Sequence, residues 1–522
     1  MLRKDYMTWA CGSHEISLAR PQIMGVVNVT PDSFSDGGDH ATPQAAIDYA
    51  FQLLDEGADI IDVGGESTRP GFTAVTPEEE ARRVMPVVQA LAKAGAVVSI
   101  DTRHAQVAKM AVKLGASIIN DVTGFTDPEM VEVATQTGAG CIVMHAGEVS
   151  QPVRRRSVSL STDAKAREAA KLAKHAEDEG KVFVEDNPTA AELDKQKSAE
   201  KLDEVMKKSA RGYASTVRLA GTRRFTLPEE APIMRQVMGF LSDRARELRR
   251  AGVSKERICI DPGPGFGKLA GEDVVIQRAT SKLCSMGYPV MCAVSRKRLV
   301  GAVSGVAEAA ARDAATIGIV LGAVQDGASI LRVHNVAATR QALDSYLATS
   351  RSDERRAFIA LGSNMGNPTL NIAKAVAAID EIPLTCVVGT SNAYKTEPAY
   401  GLKSAVVDAV VEIKTELSPL VLLDSLLGIE KSMGRVRDND APHAANRTID
   451  LDLLWMEGEY HAGHKLQLPH PRIGERDFVI VPMQDLVHDA ERFLQHEGIN
   501  VMSSEYRYGR IMQDLGPIAW QD

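Results

Sequence analysis

Eight short β-branched runs alternating with amphipathic helical segments predict an α/β fold. The expected form is a TIM-type (β/α)8 barrel with a large charged insertion after strand 5, followed by a smaller ferredoxin-like α+β domain. Three observations carry this. The runs number eight; their ends gather polar and charged side chains; and the charged stretch Ser350-Arg351-Ser352-Asp353-Glu354-Arg355-Arg356 divides them from a region of hairpin-like strands. A chain of 522 residues is also too long for one hydrophobic core. A doubly wound open sheet uses the same alphabet, and the count of eight favours closure.

The runs are Ile23–Val27, Ile60–Val63, Val97–Ile100, Ser117–Ile119, Gly140–Val143, Ile258–Ile260, Pro289–Val294 and Ser329–Val333. Between them, Gln44–Glu56 and Pro77–Lys93 repeat apolar residues at three- and four-residue spacing, as helices do. One interval breaks the rhythm: residues 146–233 are rich in Lys, Glu, Asp and Ala, far beyond an ordinary βα loop. Within it, Ala164–Glu179 and Ala190–Lys208 have the charge pattern of solvated helices, and the composition suits disorder equally well. The barrel is therefore expected over residues 1–349, a linker over 350–356 and the second domain over 357–522. In that domain, strands are expected at Ala357–Leu361, Cys386–Ser391, Val406–Ile413 and Asp450–Trp455, with helices at Leu370–Ile379 and Pro419–Met433.

Composition narrows the classes. Apolar content of 44% and charged content of 25% are those of globular proteins, and a net charge of −9 argues against nucleic acid as a partner. Six cysteines in this length are no disulfide framework; Cys141, Cys259 and Cys292 fall in apolar runs as small buried thiols. The best apolar run, Ala314 to Val324, is too short to span a bilayer, so a cytoplasmic location without membrane attachment is expected.

The strand tips present Asn28; Glu66, Thr68 and Arg69; Asp101; Asn120 and Asp121; Met144 and His145; Asp261; Lys297; and Arg332 with His334. Buried polar groups need partners, so this density at one end signals a ligand site. Asp101, Asn120 and Asp261 are acceptors suited to a flat heterocycle offering several N–H donors in a row. Asn28, Thr68, Arg69, Arg332 and His334 suit a diphosphate, and Lys297 places a point charge between the two groups. Gly263-Pro264-Gly265-Phe266-Gly267-Lys268 is not a nucleotide P-loop, because its spacing is short and Leu269 stands where a metal-holding hydroxyl belongs. In the second domain, Asp450 and Asp452 share one face of a strand by alternation, while Ile449, Leu451 and Leu453 take the other. Paired carboxylates with Arg435, Arg437 and Arg447 nearby suit Mg²⁺ bound together with a polyphosphate.

The runs Met24–Gly38 and Asp59–Gly71, with Asp261-Pro262-Gly263, Ser295-Arg296-Lys297 and Arg332-Val333-His334, resemble the signatures of dihydropteroate synthases. The resemblance covers nearly all of residues 1–345 apart from the insertion. It implies that Thr68, Asp101, Asn120, Asp261, Lys297, Arg332 and His334 bind a pterin diphosphate, and that Asn28 helps to hold Mg²⁺. Ser295, Pro70 and the loops after the first two strands would shape a p-aminobenzoate pocket. A homodimer through the barrel is also implied.

Ala357–Asn364, Arg447–Leu454 and Pro469-His470 resemble 6-hydroxymethyl-7,8-dihydropterin pyrophosphokinases over about Arg356–Val487. That resemblance implies that Asp450 and Asp452 hold Mg²⁺. Glu430, Arg435, Arg437, Arg447, His470 and Arg476 would contact ATP, and Phe478 would stack on the pterin. Two departures stand out: Val406 and Asp408 occupy strand positions where the family usually has an aromatic residue and an asparagine. The loop before Arg447 is also longer and reads His443-Ala444-Ala445-Asn446. Together the two resemblances imply a bifunctional enzyme of folate biosynthesis using pterin substrates, p-aminobenzoate and ATP. Two alternatives stay open: a synthase whose second domain only binds or scaffolds, and a pterin-binding barrel methyltransferase.

Overall fold

In the computed structural model, the described residues are 8–29, 42–66, 75–147, 231–350, 354–402, 404–435 and 446–520. The barrel strands are Gln22–Asn28, Ile60–Gly64, Val98–Asp101, Ile118–Asp121, Gly140–Met144, Ile258–Asp261, Met291–Cys292 and Ile330–Val333. The first six pair in parallel in chain order, and the eighth lies parallel between the seventh and the first, Ile330 opposite both Met291 and Gln22. A parallel bridge from Ile260 to Val290 closes the ring. Helices cover the outside. Pro43–Asp55 and Pro77–Lys93 each begin with proline after a threonine, Thr42 or Thr76, whose hydroxyl accepts a backbone N–H of the first turn.

Alternation along the strands builds the site. Ile23, Ile61, Ile100 and Ile119 pack outward against helices, while Met24, Ile60, Ile118, Ile142, Cys259, Met291 and Ile330 form a separate apolar layer. Two or four residues further along, in the same phase, come Asn28, Asp62, Asn120, Met144, Asp261 and Arg332. The interior is thus apolar at its base and polar at its mouth. A hairpin of Thr8–Cys11 and His14–Ser17, not anticipated from the sequence, plugs the base. Its Trp9 is fully buried in the inner layer and donates Nε1–H to the Arg257 carbonyl at 3.1 Å. The insertion's expected helices, Ala164–Glu179 and Ala190–Lys208, lie outside the described residues. The expected linker is shorter than 350–356, since a helix runs to Ser350 and a strand starts at Arg355.

The second unit is an antiparallel sheet in the order Asp450–Met456, Arg355–Ser363, Val406–Thr415, Asn392–Thr396, Ile511–Pro517, with Thr385–Thr390 also on Val406–Thr415. Two of these, Asn392–Thr396 and Ile511–Pro517, were not anticipated. Ile359, Leu361, Ala409 and Leu451 pack on the helices Pro368–Asp380 and Pro419–Ser432. Phe358, Val410 and Leu454 face Val479, Ile480 and Leu494 on the opposite side.

The two units meet at the barrel's base. Asp55 accepts the Lys465 N–H at 2.7 Å, Tyr460 donates to the Gly95 carbonyl at 2.5 Å, and Phe51 stacks on His464 at 4.1 Å. Asp59, Glu459 and His461 cluster there, but Arg340, Arg355 and Arg20 pair with their carboxylates, so the cluster is an ion network. Among the described residues, no helix is long and apolar enough to cross a membrane.

Candidate active sites

At the barrel mouth, Arg332 lies between two carboxylates: Nε donates to Asp62 at 2.6 Å and Nη2 to Asp101 at 2.7 Å. Asn120 donates to the same Asp62 at 3.2 Å. Burial pushes the Asp101 carboxyl up to about 7, opposed by Arg332 and reinforced by Asp62. Asp261 is also raised by burial, and it accepts the Gly263 N–H at 2.7 Å. Lys297 donates to the Pro264 carbonyl at 2.9 Å and lies 4.7 Å from the Phe266 ring centre. Burial lowers its ammonium to about 8, with Asp261 acting the other way. His334 Nδ1 and Ser295 Oγ are 2.9 Å apart, and Ser295 also accepts the His334 backbone N–H.

The structure therefore joins Asp101, Asn120 and Arg332 into one connected set through Asp62, pairs Ser295 with His334 separately, and couples Asp261 with Lys297 through charge. Asn28 ends the first strand, and its Oδ1 and the Asp101 carboxylate both lie beside Gly64, the tip of the strand between them. Thr68, Arg69 and Pro70 lie outside the described residues. Asp121 is turned into its own loop, accepting N–H groups of Thr123 and Phe125. Glu66 binds Arg103 and the Val75 N–H on either side of residues 67–74.

The glycine-rich segment after the sixth strand is spent on itself. Lys268 donates to the carbonyls of His145, Gly263 and Phe266 at 2.7–3.0 Å, which leaves no ammonium for a phosphate. Gly263, at φ +63°, passes so close to the His145 carbonyl that a Cβ would lie 2.1 Å from it. Asp62 was not singled out from the sequence, although its phase was readable: Ile60 points inward, so Asp62 must as well.

In the second unit, Asp450 and Asp452 face a cavity of about 380 Å³. Asp450 pairs with Arg435 and Arg447; Asp452 accepts from Arg476 at 3.0 Å, with His470 Nε2 at 3.9 Å. Burial opposes the charge on Asp452, but His470 and Arg476 more than offset it and hold the carboxyl below its usual range. Phe478 lines the same cavity. Glu430 stands behind it, 2% exposed, paired with Arg435 and accepting the Leu451 N–H at 2.8 Å. Arg437, with residues 443–445 of the longer loop, lies outside the described residues. Asp408 is buried against Thr396, whose hydroxyl donates to it at 2.5 Å; burial pushes its carboxyl up to about 7. Tyr400 and Arg472 also line the cavity and were missed, because neither falls in a periodic run.

A barrel whose mouth joins heterocycle acceptors to cations, followed by a fold with paired carboxylates among arginines, defines a class: transferases acting on pterins and phosphates. Residues 24–187 and 172–334 match the family described as pterin binding enzyme, and residues 358–488 match 7,8-dihydro-6-hydroxymethylpterin-pyrophosphokinase. A dihydropteroate synthase of Neisseria meningitidis serogroup C is 34% identical over 344 residues, spanning 65% of this chain and 96% of the relative. That of Staphylococcus haemolyticus is 32% identical over 321 residues, 61% and 91% of the respective chains. The solved Xanthomonas albilineans dihydropteroate synthase with 4-aminobenzoic acid superimposes with a TM-score of 0.49 at 32% identity, covering 67% of this chain and all of that one. The chain belongs to the dihydropteroate synthases of the pterin-binding enzyme family and carries a pyrophosphokinase domain after the barrel.

Proposed function

We propose that this chain performs two successive steps of folate biosynthesis. The second unit transfers diphosphate from ATP to 6-hydroxymethyl-7,8-dihydropterin, releasing AMP. The barrel then joins the resulting pterin diphosphate to p-aminobenzoate, giving dihydropteroate and free diphosphate. The observation that carries this reading is the connected set Asp62, Asp101, Asn120 and Arg332 at the mouth of a pterin-binding barrel. A cytoplasmic location and a homodimer through the barrel complete it.

In the barrel, Asp101, Asn120 and Asp261 accept the N–H groups along the pterin edge and fix its plane. Arg332, His334 and Lys297 lie on the side where the C–O bond to diphosphate breaks. The electron pair leaves with diphosphate, whose growing charge these donors stabilise more than they stabilise the bound substrate. The aniline nitrogen then forms the new C–N bond and loses its proton. Asn28 Oδ1 is a neutral oxygen donor suited to a magnesium ion shared with the diphosphate.

In the second unit, the donor set fits magnesium: two carboxylates on one strand face, oxygen only, opening onto a cavity lined by arginines. A magnesium ion held there would supply positive charge and Lewis-acid polarisation for the phosphoryl group under attack. Asp450 and Asp452 would hold it, while Arg435, Arg447 and Arg476 exchange their carboxylate partners for phosphate oxygens. The pterin lies against Phe478, with Asp408 and Thr396 at its edge.

The test of the barrel's part is dihydropteroate formation by the full chain from pterin diphosphate and p-aminobenzoate. Turnover that vanishes in Asp101→Asn supports the reading. Turnover that persists there contradicts it.

A further inference from the structure

A flat heterocycle held in a cavity needs a surface on each of its faces. Phe478 provides one in the second unit. Val406 cannot provide the other as a ring; it is aliphatic and 6% exposed on its strand. Across the same cavity stands Tyr400, with its ring centre 6.5 Å from that of Phe478. Two surfaces flanking an intercalated ring stand roughly 7 Å apart, two contact distances of roughly 3.5 Å each. The rings now cross at 80°, and Tyr400 is 37% exposed, so its side chain has room to turn parallel.

The backbone under Tyr400 is unusual. Its φ is +52°, and Gly401 follows at +87°. Glycine adopts this left-handed region freely, whereas a bulky aromatic residue there is an outlier held by its surroundings, a state concentrated at ligand sites. Arg472 lies 4.4 Å from the Tyr400 ring centre, Arg476 lies 5.7 Å away and the Tyr508 ring 5.3 Å away. Both arginines line the cavity, and Arg476 also donates to Asp452. Asp408 and Thr396, hydrogen-bonded to each other, line the same cavity and offer polar groups to the edge of a heterocycle between the two rings.

We propose that Tyr400 is the second stacking surface for the pterin, opposite Phe478, presented from a left-handed turn in place of a ring at Val406. The inference rests on the pyrophosphokinase reading of this unit. It names a specificity residue from the loop Glu397–Leu402, where the strand supplies none.

The test uses the full chain as wild type, Tyr400→Ala and Tyr400→Phe. Pterin affinity is read by fluorescence quenching of hydroxymethyldihydropterin in the presence of a non-hydrolysable ATP analogue, and KM values for both substrates are read from AMP release. Tyr400→Ala should weaken pterin binding and raise its KM roughly tenfold, the size of a lost aromatic stack plus its buried area. Its KM for ATP should stay within about twofold, and Tyr400→Phe should restore pterin affinity, since the ring and not the hydroxyl is used. Unchanged pterin affinity in Tyr400→Ala overturns the proposal, as does an equal loss toward ATP, which would mark a collapsed cavity. The binding measurement needs no turnover. A wild type that binds pterin without releasing AMP would overturn the pyrophosphokinase reading, while the affinities still decide the role of Tyr400.

Discussion

Arg332 and Asp62 form an ion pair at 2.6 Å inside the barrel, and the Asp62 side chain is fully buried. The pair sets the height and direction of the guanidinium beneath Asp101, and the same carboxylate orients Asn120. Removing it leaves a buried cation with one partner in place of two. Asp62→Ala should therefore cost about 3–5 kcal/mol of stability, the range for breaking a buried pair. Dihydropteroate formation should fall with it. Denaturant unfolding of the full chain checks this; a loss below about 1 kcal/mol would show that Arg332 is held by other groups.

The pH dependence of the barrel follows from Asp101 and Lys297. Asp101 must be ionised to accept two N–H groups, and its carboxyl is raised to about 7 by burial. Lys297 must be charged to favour a departing anion, and burial lowers it to about 8. The kcat/KM for pterin diphosphate should thus be a narrow bell, rising near 7 and falling near 8. Lys297→Arg keeps its charge at every accessible pH, so its falling limb should move upward. A falling limb that stays in place would assign it to another group. Stability has the opposite sign to activity on the acid side: because the folded Asp101 holds its proton more tightly than the unfolded one, its contribution is present below about 4 and is lost as pH rises through about 7. Asp101→Asn should flatten that slope in thermal unfolding.

Asp450 faces a cavity in a core separate from that of the barrel. Asp450→Ala should lower ATP-dependent AMP release by about 100-fold or more, as removal of a charge that stabilises the transferred group does. The barrel's turnover of supplied pterin diphosphate should be unchanged. A parallel loss in both reactions would show that the substitution unfolds more than its own site. Chelation of magnesium should reproduce the loss of AMP release.

The placement of the two sites has a kinetic consequence. The units join at the N-terminal ends of the barrel strands, through Asp55 and Gly95 and with Asp59 beside Glu459 and His461, while the mouth residues stand at the opposite ends. In the second unit the joining residues Tyr460, His464 and Lys465 follow the end of the strand Asp450–Met456, and the paired carboxylates begin it. None of the joining residues belongs to either site, so the shared intermediate is expected to pass through solvent. Unlabelled pterin diphosphate added to a coupled reaction should dilute labelled product to the bulk ratio. Label protected from dilution would contradict this arrangement.

Much of this architecture was legible in the chain. The eight parallel strands were visible because buried strands of a βα barrel are continuous β-branched runs, and their polar tips stand out against them. Ile60–Gly64 shows the limit: its tip was read, yet Asp62 was taken for part of the apolar run when phase places it inside the mouth. The hairpin Thr8–Ser17 was missed because His14-Glu15-Ile16-Ser17 has no lasting alternation; only its burial against the barrel base makes it a strand. Ile511–Pro517 is an edge strand with exposed side chains and gave no apolar pattern. Tyr400 was invisible for a different reason: its position depends on a left-handed turn, which propensity does not encode.

The most direct test of the whole account is a single reaction of the purified full chain with hydroxymethyldihydropterin, ATP, Mg²⁺ and labelled p-aminobenzoate. Labelled dihydropteroate should appear together with AMP in equal amounts once the intermediate has reached its steady level. If labelled dihydropteroate forms only when pterin diphosphate is supplied ready-made, or does not form at all, the two-step reading is wrong.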